Sequence, residues 1–287
     1  MKKKELIPTI ILALLCAVMI YPLLLVIGIS FSNERDVVYE GYRMIPKDFD
    51  ISAYKYIFEN PRSVFNAYKV TIFFSVTSTV LGVLLMTMMA FTLSRKGIKG
   101  KSGISFYLYF TMLFSGGLVP SYILITQYLG LANNIMVYVV TGLVSPWYIF
   151  MLRTFFQGIP YELSEAAVID GASEYRIFFG LILPLSKPAI ATVALFMFLA
   201  KWNDWYTSML YINSEELYSL QYLLQRIMLN IQLIQNNFFA ESLIEGSVPS
   251  ETVRMAMAVV VAGPALIVFP FFQKYFVKGL TVGGVKG

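Results

Sequence analysis

The stretch QGIPYELSEAAVIDGASEYRIFFGLILPLSKP, Gln157–Pro188, decides how this chain is read. Its centre is small and acidic, while long apolar runs flank it on both sides. Pro160 suits the first turn of a helix, and Glu162 and Glu165 suit that helix's positive N-terminal end. Ala166, Ala167 and Gly171 make a low surface that another protein can approach closely. Asp170-Gly171, followed by Ala172, is a turn signal. Beyond it, Tyr175, Phe178, Phe179 and Ile182 recur at i, i+3, i+4 and i+7, which is an apolar helical stripe. Pro184 and Pro188 bracket the start of the next apolar run. The pattern predicts a short helix, a turn, and a second helix lying against a membrane face. An ordinary amphipathic interfacial helix accounts for the periodicity equally well.

The flanking runs set the class. Of the 287 residues, 57% are hydrophobic and only 14% are charged, with mean hydropathy +0.68. A soluble domain carries about a quarter charged residues, so lipid-facing surface is the simplest explanation. Histidine is absent, which removes the commonest general base and metal ligand. Cys16 is the lone cysteine and lies in an apolar run, so disulfides, thiolate metal sites and Cys–His catalysis within the chain are excluded.

Six stretches reach the roughly 20 residues that a helix needs to cross the hydrocarbon core. They are 7–31, 68–93, 104–128, 135–156, 188–212 and 253–277. The first follows a basic start but is longer than a signal's apolar region and lacks a small-x-small cleavage site, so it is read as a retained span. Pro146 falls inside the fourth and should kink it. Cationic residues choose the orientation. With the N-terminus in the cytoplasm, the inner side receives Lys2, Lys3, Lys4, Arg95, Lys96, Lys99, Lys101, Arg153, Arg176, Lys187, Lys274, Lys278 and Lys286, which is 13 of the 22. The outer segments receive six. The net charge of +5 is thus loop bias, not a nucleic-acid surface. The expectation is a single transmembrane domain over 1–287: an all-α polytopic membrane protein with six transmembrane helices and both termini cytoplasmic. Residues 157–187 form an inner loop, and 32–67 and 213–252 form long outer loops. In the second outer loop, LYSLQYLLQRIMLNIQLI has helical apolar spacing at 217, 220, 223, 224, 227, 231 and 234. That spacing predicts a helix over the outer mouth.

Two motifs invite chemistry. GIKGKS, Gly97–Ser102, has the tail of a phosphate-binding loop, but only two residues separate its glycines and Arg95 stands where the first glycine belongs. It is a basic inner loop, and the chain has no ATPase machinery of its own. KWNDWY, Lys201–Tyr206, places charge inside the fifth span, where charged groups face a cavity, a partner or a pathway. Lys201 and Asp204 are three apart and suit pairing across one turn. Trp202, Asn203, Asp204 and Trp205 combine aromatic faces with amide and carboxylate groups, a chemistry suited to sugar. Interfacial anchoring explains the same tryptophans.

The 157–188 stretch also resembles the EAA loop of the permease subunits of bacterial ATP-binding-cassette importers. That pattern is Glu-Ala-Ala, three residues, Gly, nine residues, Ile, one residue, Leu-Pro. Here it reads Glu165-Ala166-Ala167, Gly171, Leu181 and Leu183-Pro184, with only Leu181 departing. The resemblance covers nearly the whole chain. Trp202-Asn203-Asp204 is similar to the family's Trp-Asn-acid element. FFQKYFVKGLTVGGVKG, Phe271–Gly287, is similar to the C-terminal signature of the carbohydrate, MalG-like branch. The long outer loops and SLQYLLQRI are most similar to its complex-oligosaccharide and polysaccharide members.

The resemblance implies a cytoplasmic coupling helix that docks on a separate ATPase subunit through Glu165, Ala166, Ala167, Asp170, Gly171 and Ala172. It implies no cofactor in this chain, with ATP and Mg on two ATPase partners. It further implies a paralogous permease subunit, an extracytoplasmic solute-binding protein, an oligosaccharide substrate and a multi-pass place in the bacterial cytoplasmic membrane. A secondary transporter needs an ion-coupling site near mid-membrane, for which Asp204 is the sole acid deep in a span. A membrane enzyme needs convergent reactive groups, which a chain without histidine lacks. The EAA loop argues against both. It is silent on a non-sugar solute carried by the same architecture.

Overall fold

The computed structural model describes residues 3–236 and 250–283. In chain order the helices are α1 (Lys3–Ser30), α2 (Glu34–Glu40), α3 (Ser52–Ile57), α4 (Pro61–Ser94), α5 (Lys101–Leu113), α6 (Leu118–Ile123), α7 (Met136–Val140), α8 (Pro146–Gln157), α9 (Tyr161–Ile169), α10 (Glu174–Ile177), α11 (Leu183–Leu185), α12 (Lys187–Trp202), α13 (Tyr206–Tyr211), α14 (Leu220–Asn236) and α15 (Glu251–Gly283). Two π-turns, Leu124–Tyr128 and Phe178–Ile182, extend α6 and α10. Among the described residues there is no strand, only an isolated bridge between Ser32 and Phe49. The side chains of the 271–287 signature lie outside the described residues, as do the outer-loop acids Glu241 and Glu245.

Among the described residues, three helices are long and apolar enough to cross a membrane unbroken: Pro8–Ser30, Pro61–Ser94 and Glu251–Pro270. Three of the expected spans are not single helices. The third stretch bends by 112° between Lys101–Leu113 and Leu118–Tyr128, at Ser115-Gly116-Gly117. The fourth is not kinked at Pro146 but interrupted before it. The chain leaves helix after Val140, Ser145 is extended, and Pro146 opens α8 as its first residue. A residue before proline avoids helical conformation, and proline needs no N–H donor at a first turn. The fifth ends at Trp202 and resumes at Tyr206. At its start, Glu174–Leu185 meets α12 at 80°. Counting each bent pair as one span gives five candidates by length and composition.

The chain divides into two compact units. One comprises Met1–Asn66 and Leu220–Pro264. Within it, Phe31 stacks on Phe49 and Tyr54 with ring centroids 5.4 and 4.9 Å apart. The expected helix of the second outer loop is present as α14, and Leu220, Leu224 and Ile231 are its buried face. Spacings of four and seven place these three on one stripe.

The start of α15 in this unit is closed by a carboxylate from far away in sequence. Glu34 accepts hydrogen bonds from the main-chain N–H groups of Ser250, Glu251 and Thr252 at 3.0, 3.0 and 2.9 Å, and from Thr252 Oγ1 at 2.7 Å. A helix start leaves its first N–H groups unpaired and carries partial positive charge, so an anion is the natural cap. Burial pushes the Glu34 pKa up, but the hydrogen bonds from Glu251, Thr252 and Ser250 outweigh it and hold the carboxyl below its ordinary value. A lowered folded-state pKa stabilises in full above the free side chain's pKa and ceases to do so as pH falls through the folded-state value. Glu34→Ala is therefore expected to lower stability at neutral pH by about 1 kcal/mol, the usual scale of a lost cap. The deficit should shrink as the sample is taken below the ordinary carboxylate range. Melting curves across pH in detergent check this; a deficit that persists unchanged in acid contradicts a carboxylate cap.

The other unit comprises Ala67–Ser219 and Ala265–Gly287. Its core is built on α4, where Val83, Met86, Ala90 and Phe91 are buried with Ile149, Leu152 and Phe156 of α8, Ile177 and Phe178 beyond the EAA helix, and Val193 and Met197 of α12. Gly82 makes this approach possible. A Cβ there would lie 2.5 Å from the carbonyl oxygen of Leu143, which belongs to the break before α8.

Candidate functional site

The EAA segment folds as its small residues dictate. Pro160 occupies the position just before α9 instead of its first turn and supplies no side-chain cap; helical residues begin at Tyr161, and Glu162 sits in the first turn. Asp170 closes the helix and Gly171 follows in the left-handed region at φ +77°. Gly171 N–H donates to Val168 O at 3.0 Å and Ala172 N–H donates to Ala167 O at 2.9 Å. These crossed bonds are the Schellman arrangement, in which glycine at C′ satisfies the last carbonyls of a helix. A Cβ on Gly171 would meet nothing within 4 Å, so glycine is needed here for its backbone angle and not for space. Ser173 then starts α10 by accepting from Arg176 N–H.

The six residues marked by the sequence divide between two faces. Ala167 and Ala172 pack toward the core. Glu165, Ala166, Asp170 and Gly171 are exposed. Apolar Val168 and Ile169 stand out beside them, 52% and 85% exposed. The stripe after the turn also differs from its expected form. Phe178 and Ile182 are buried as expected, but Ile177 joins them while Tyr175 and Phe179 face outward. The π-turn at Phe178–Ile182 shifts the phase of the helix there.

A cleft of about 310 Å³ runs beside α9, lined by Arg95, Tyr161, Ser164, Glu165, Val168 and Ile169. Arg95, set aside in the sequence as part of a basic loop, forms its wall. Val168 and Ile169 carry no spacing signal because they have no helical partners on an apolar face. Only their exposure identifies them.

The second candidate group does not hold together as one surface. Trp202 is 2% exposed and stacks on Phe198 at 5.8 Å. Asn203 is exposed and its Nδ2 donates to Leu199 O at 2.9 Å. Asp204 is partly buried and caps α13, accepting from Thr207 N–H at 3.0 Å and Thr207 Oγ1 at 2.7 Å. Trp205 is exposed and meets Tyr206 edge-on. Asn203, Trp205 and Tyr206 thus form the outward part, while Trp202 is packing. The helix ends at Trp202, so the two tryptophans do not share a helical face.

Lys201 serves the main chain. Its Nζ donates to Tyr138 O at 2.7 Å and to Thr141 O, the carbonyls released where α7 stops. Around it, Tyr138 stacks on Phe74 at 4.3 Å, and its hydroxyl meets Ser208 and donates to Leu217 O at 2.8 Å. Ser219 donates to the Asp204 carbonyl at 2.8 Å. Broken helices within a membrane need such internal partners for their freed backbone groups.

Comparison with known proteins agrees with this architecture. The family described as "Binding-protein-dependent transport system inner membrane component" matches residues 5–282. The chain is 37% identical to the polygalacturonan/rhamnogalacturonan transport system permease protein YtcP of Bacillus subtilis (strain 168), over 96% of this chain and 94% of the relative. It is 30% identical to the arabinooligosaccharides transport system permease protein AraQ of Halalkalibacterium halodurans, over 97% and 95%. Among solved structures it is similar to a chain of a bacterial ABC transporter involved in the import of the acidic polysaccharide alginate. That match has TM-score 0.79 and 30% identity, covering 96% of this chain and 99% of the other.

Proposed function

Because this chain belongs to the family of binding-protein-dependent transport system inner membrane components, we propose that it is the permease subunit of an ATP-driven importer of oligosaccharides or polysaccharide fragments. The observation that carries the reading is similarity along 96% of the chain to a polygalacturonan/rhamnogalacturonan permease. Acidic fragments are the substrates to test first, since polygalacturonan and alginate, named for two of the similar proteins, are both polyuronates.

In this reading six spans carry the pathway and both termini are cytoplasmic. A paralogous permease subunit completes the channel, and a solute-binding protein delivers substrate from outside. Two ATPase subunits hold ATP and Mg, so no covalent chemistry occurs on this chain. The α9 helix is the coupling element. Its exposed Glu165, Val168 and Ile169 beside a cleft are the features that support docking, since clustered apolar exposure marks an interaction site. ATP and the loaded binding protein each bias the complex between inward- and outward-open states through their differing affinities for the two.

The test is reconstitution of the complete complex in proteoliposomes with its binding protein. Acidic oligosaccharides, neutral oligosaccharides and a non-sugar solute are supplied in turn. Stimulated ATP hydrolysis and uptake with the acidic fragments are the expected result. Stimulation by the non-sugar solute alone overturns the substrate class.

A further inference from the structure

One guanidinium reaches the first residues of both α9 and α10, on either side of the Gly171 turn. Arg95 directly follows the last residue of α4. Its Nη2 lies 2.7 Å from Glu174 Oε1, and its Cζ stands 5.5 Å from the Tyr161 ring centroid. Tyr161 is the first residue of α9, and Glu174 is the first residue of α10, past the Gly171 turn. The Arg95 side chain is only 11% exposed and also lies over the Phe91 ring, at 5.5 Å. Phe91 in turn meets Phe178 at 5.2 Å.

The α9 helix needs such an anchor. Its one buried residue is Ser164, joined by the partly buried Ala167, and its outer face is left bare. The elements after it are different, because Ile177, Phe178 and Ile182 are sunk in the core. A half-exposed ion pair and a cation–π contact add little to global stability. Their geometry is nonetheless specific. The flat guanidinium lies over one partner while hydrogen-bonding another, which no single lysine reproduces; the neighbouring Lys96 Nζ also lies over the Tyr161 ring, at 4.4 Å, but Glu174 is bridged by Arg95.

We propose that Arg95 is a positioning residue that makes the coupling helix and the C-terminal end of α4 move as one body. The proposal rests on the importer reading, which assigns α9 the contact with the ATPase. A push on α9 then reaches α4, the helix around which the unit's core is built, without first being absorbed in the loop between them.

The test uses the complete reconstituted complex. Arg95→Gln and Glu174→Gln are each expected to lower sugar imported per ATP hydrolysed by about tenfold, within the range by which residues on a coupling path alter coupling. Arg95→Lys should fall between, and the exchange Arg95→Glu with Glu174→Arg should recover part of the loss. A second readout measures rigidity. With Cys16→Ser, spin labels at Thr92→Cys and Leu163→Cys are expected to keep one separation through the ATP cycle, and Arg95→Gln should spread it. Unchanged coupling with an unchanged, narrow separation in Arg95→Gln overturns the clamp. If the parent complex itself shows no stimulation by binding protein, the importer reading falls and the clamp's role with it. Stimulation in the parent with full coupling in both single variants sinks the clamp alone.

Discussion

Replacing Gly171 with leucine is expected to lower productive uptake by about tenfold or more while leaving the chain inserted in the membrane. The reason is local. At φ +77° a side chain costs about 1–2 kcal/mol, and no neighbour compensates, because the space around the position is empty. The segment relieves that strain by giving up the crossed bonds from Gly171 to Val168 O and from Ala172 to Ala167 O. Ala172 then leaves the core, and Val168 and Ile169 change direction. The core below, on Ile177 and Phe178, is untouched, so insertion and gross folding persist. Gly171→Asn separates angle from size, since asparagine visits the left-handed region far more readily than leucine. Uptake by Gly171→Asn should be largely retained, and uptake by Gly171→Leu should fall by about tenfold or more, the equivalent of 1.4 kcal/mol or more. Reconstituted uptake and ATPase stimulation are the measurements. Equal activity in the leucine and asparagine variants shows that the left-handed turn is not what the segment contributes.

How much of this was legible follows from the range of each interaction. The EAA helix and its turn are fixed by contacts within six residues, and the string from Glu165 to Ala172 states them almost completely. The interruption before α8 was also written locally, in Gly142, Ser145 and Pro146, and so was the Ser115-Gly116-Gly117 bend. There the length of the apolar runs outweighed the turn signals. A membrane chain tolerates a broken helix when side chains elsewhere satisfy the freed backbone, and length alone does not register that. Whether Trp202 and Trp205 belong to one surface was not legible for a related reason: residues three apart share a face only if the helix continues, and it ends between them. Arg95 and Glu34 were out of reach in principle. Their partners lie 79 residues away at Glu174 and 216 away at Ser250, and nothing in the local pattern marks such pairs.

Lys201→Met is the substitution for which insertion and folding should part company. A lysine costs at most about 2.5–3.5 kcal/mol on insertion scales, the value for the centre of a span; Lys201 lies in the last turn of α12, so the gain is smaller, but methionine still makes the segment easier to insert. The folded unit changes in the opposite direction. Lys201 is 7% exposed, and its ammonium is the donor for Tyr138 O and Thr141 O where α7 stops. Each buried carbonyl left without a donor costs about 1–3 kcal/mol, and methionine supplies none. Tyr138 is fully buried against Phe74 and Ser208, so little movement is available to bring another donor in. The expected outcome is membrane insertion at or above the parent's level with a melting temperature lower by about 5 °C or more. Lys201→Arg keeps the donors but enlarges the group beside Gly142, whose Cβ position is 3.9 Å from Nζ, and should recover only part of the loss. Quantified insertion and thermal unfolding of the purified protein decide it. A methionine variant as heat-stable as the parent means that the freed carbonyls find other partners, and the buried cation would then belong to the pathway instead of to the fold.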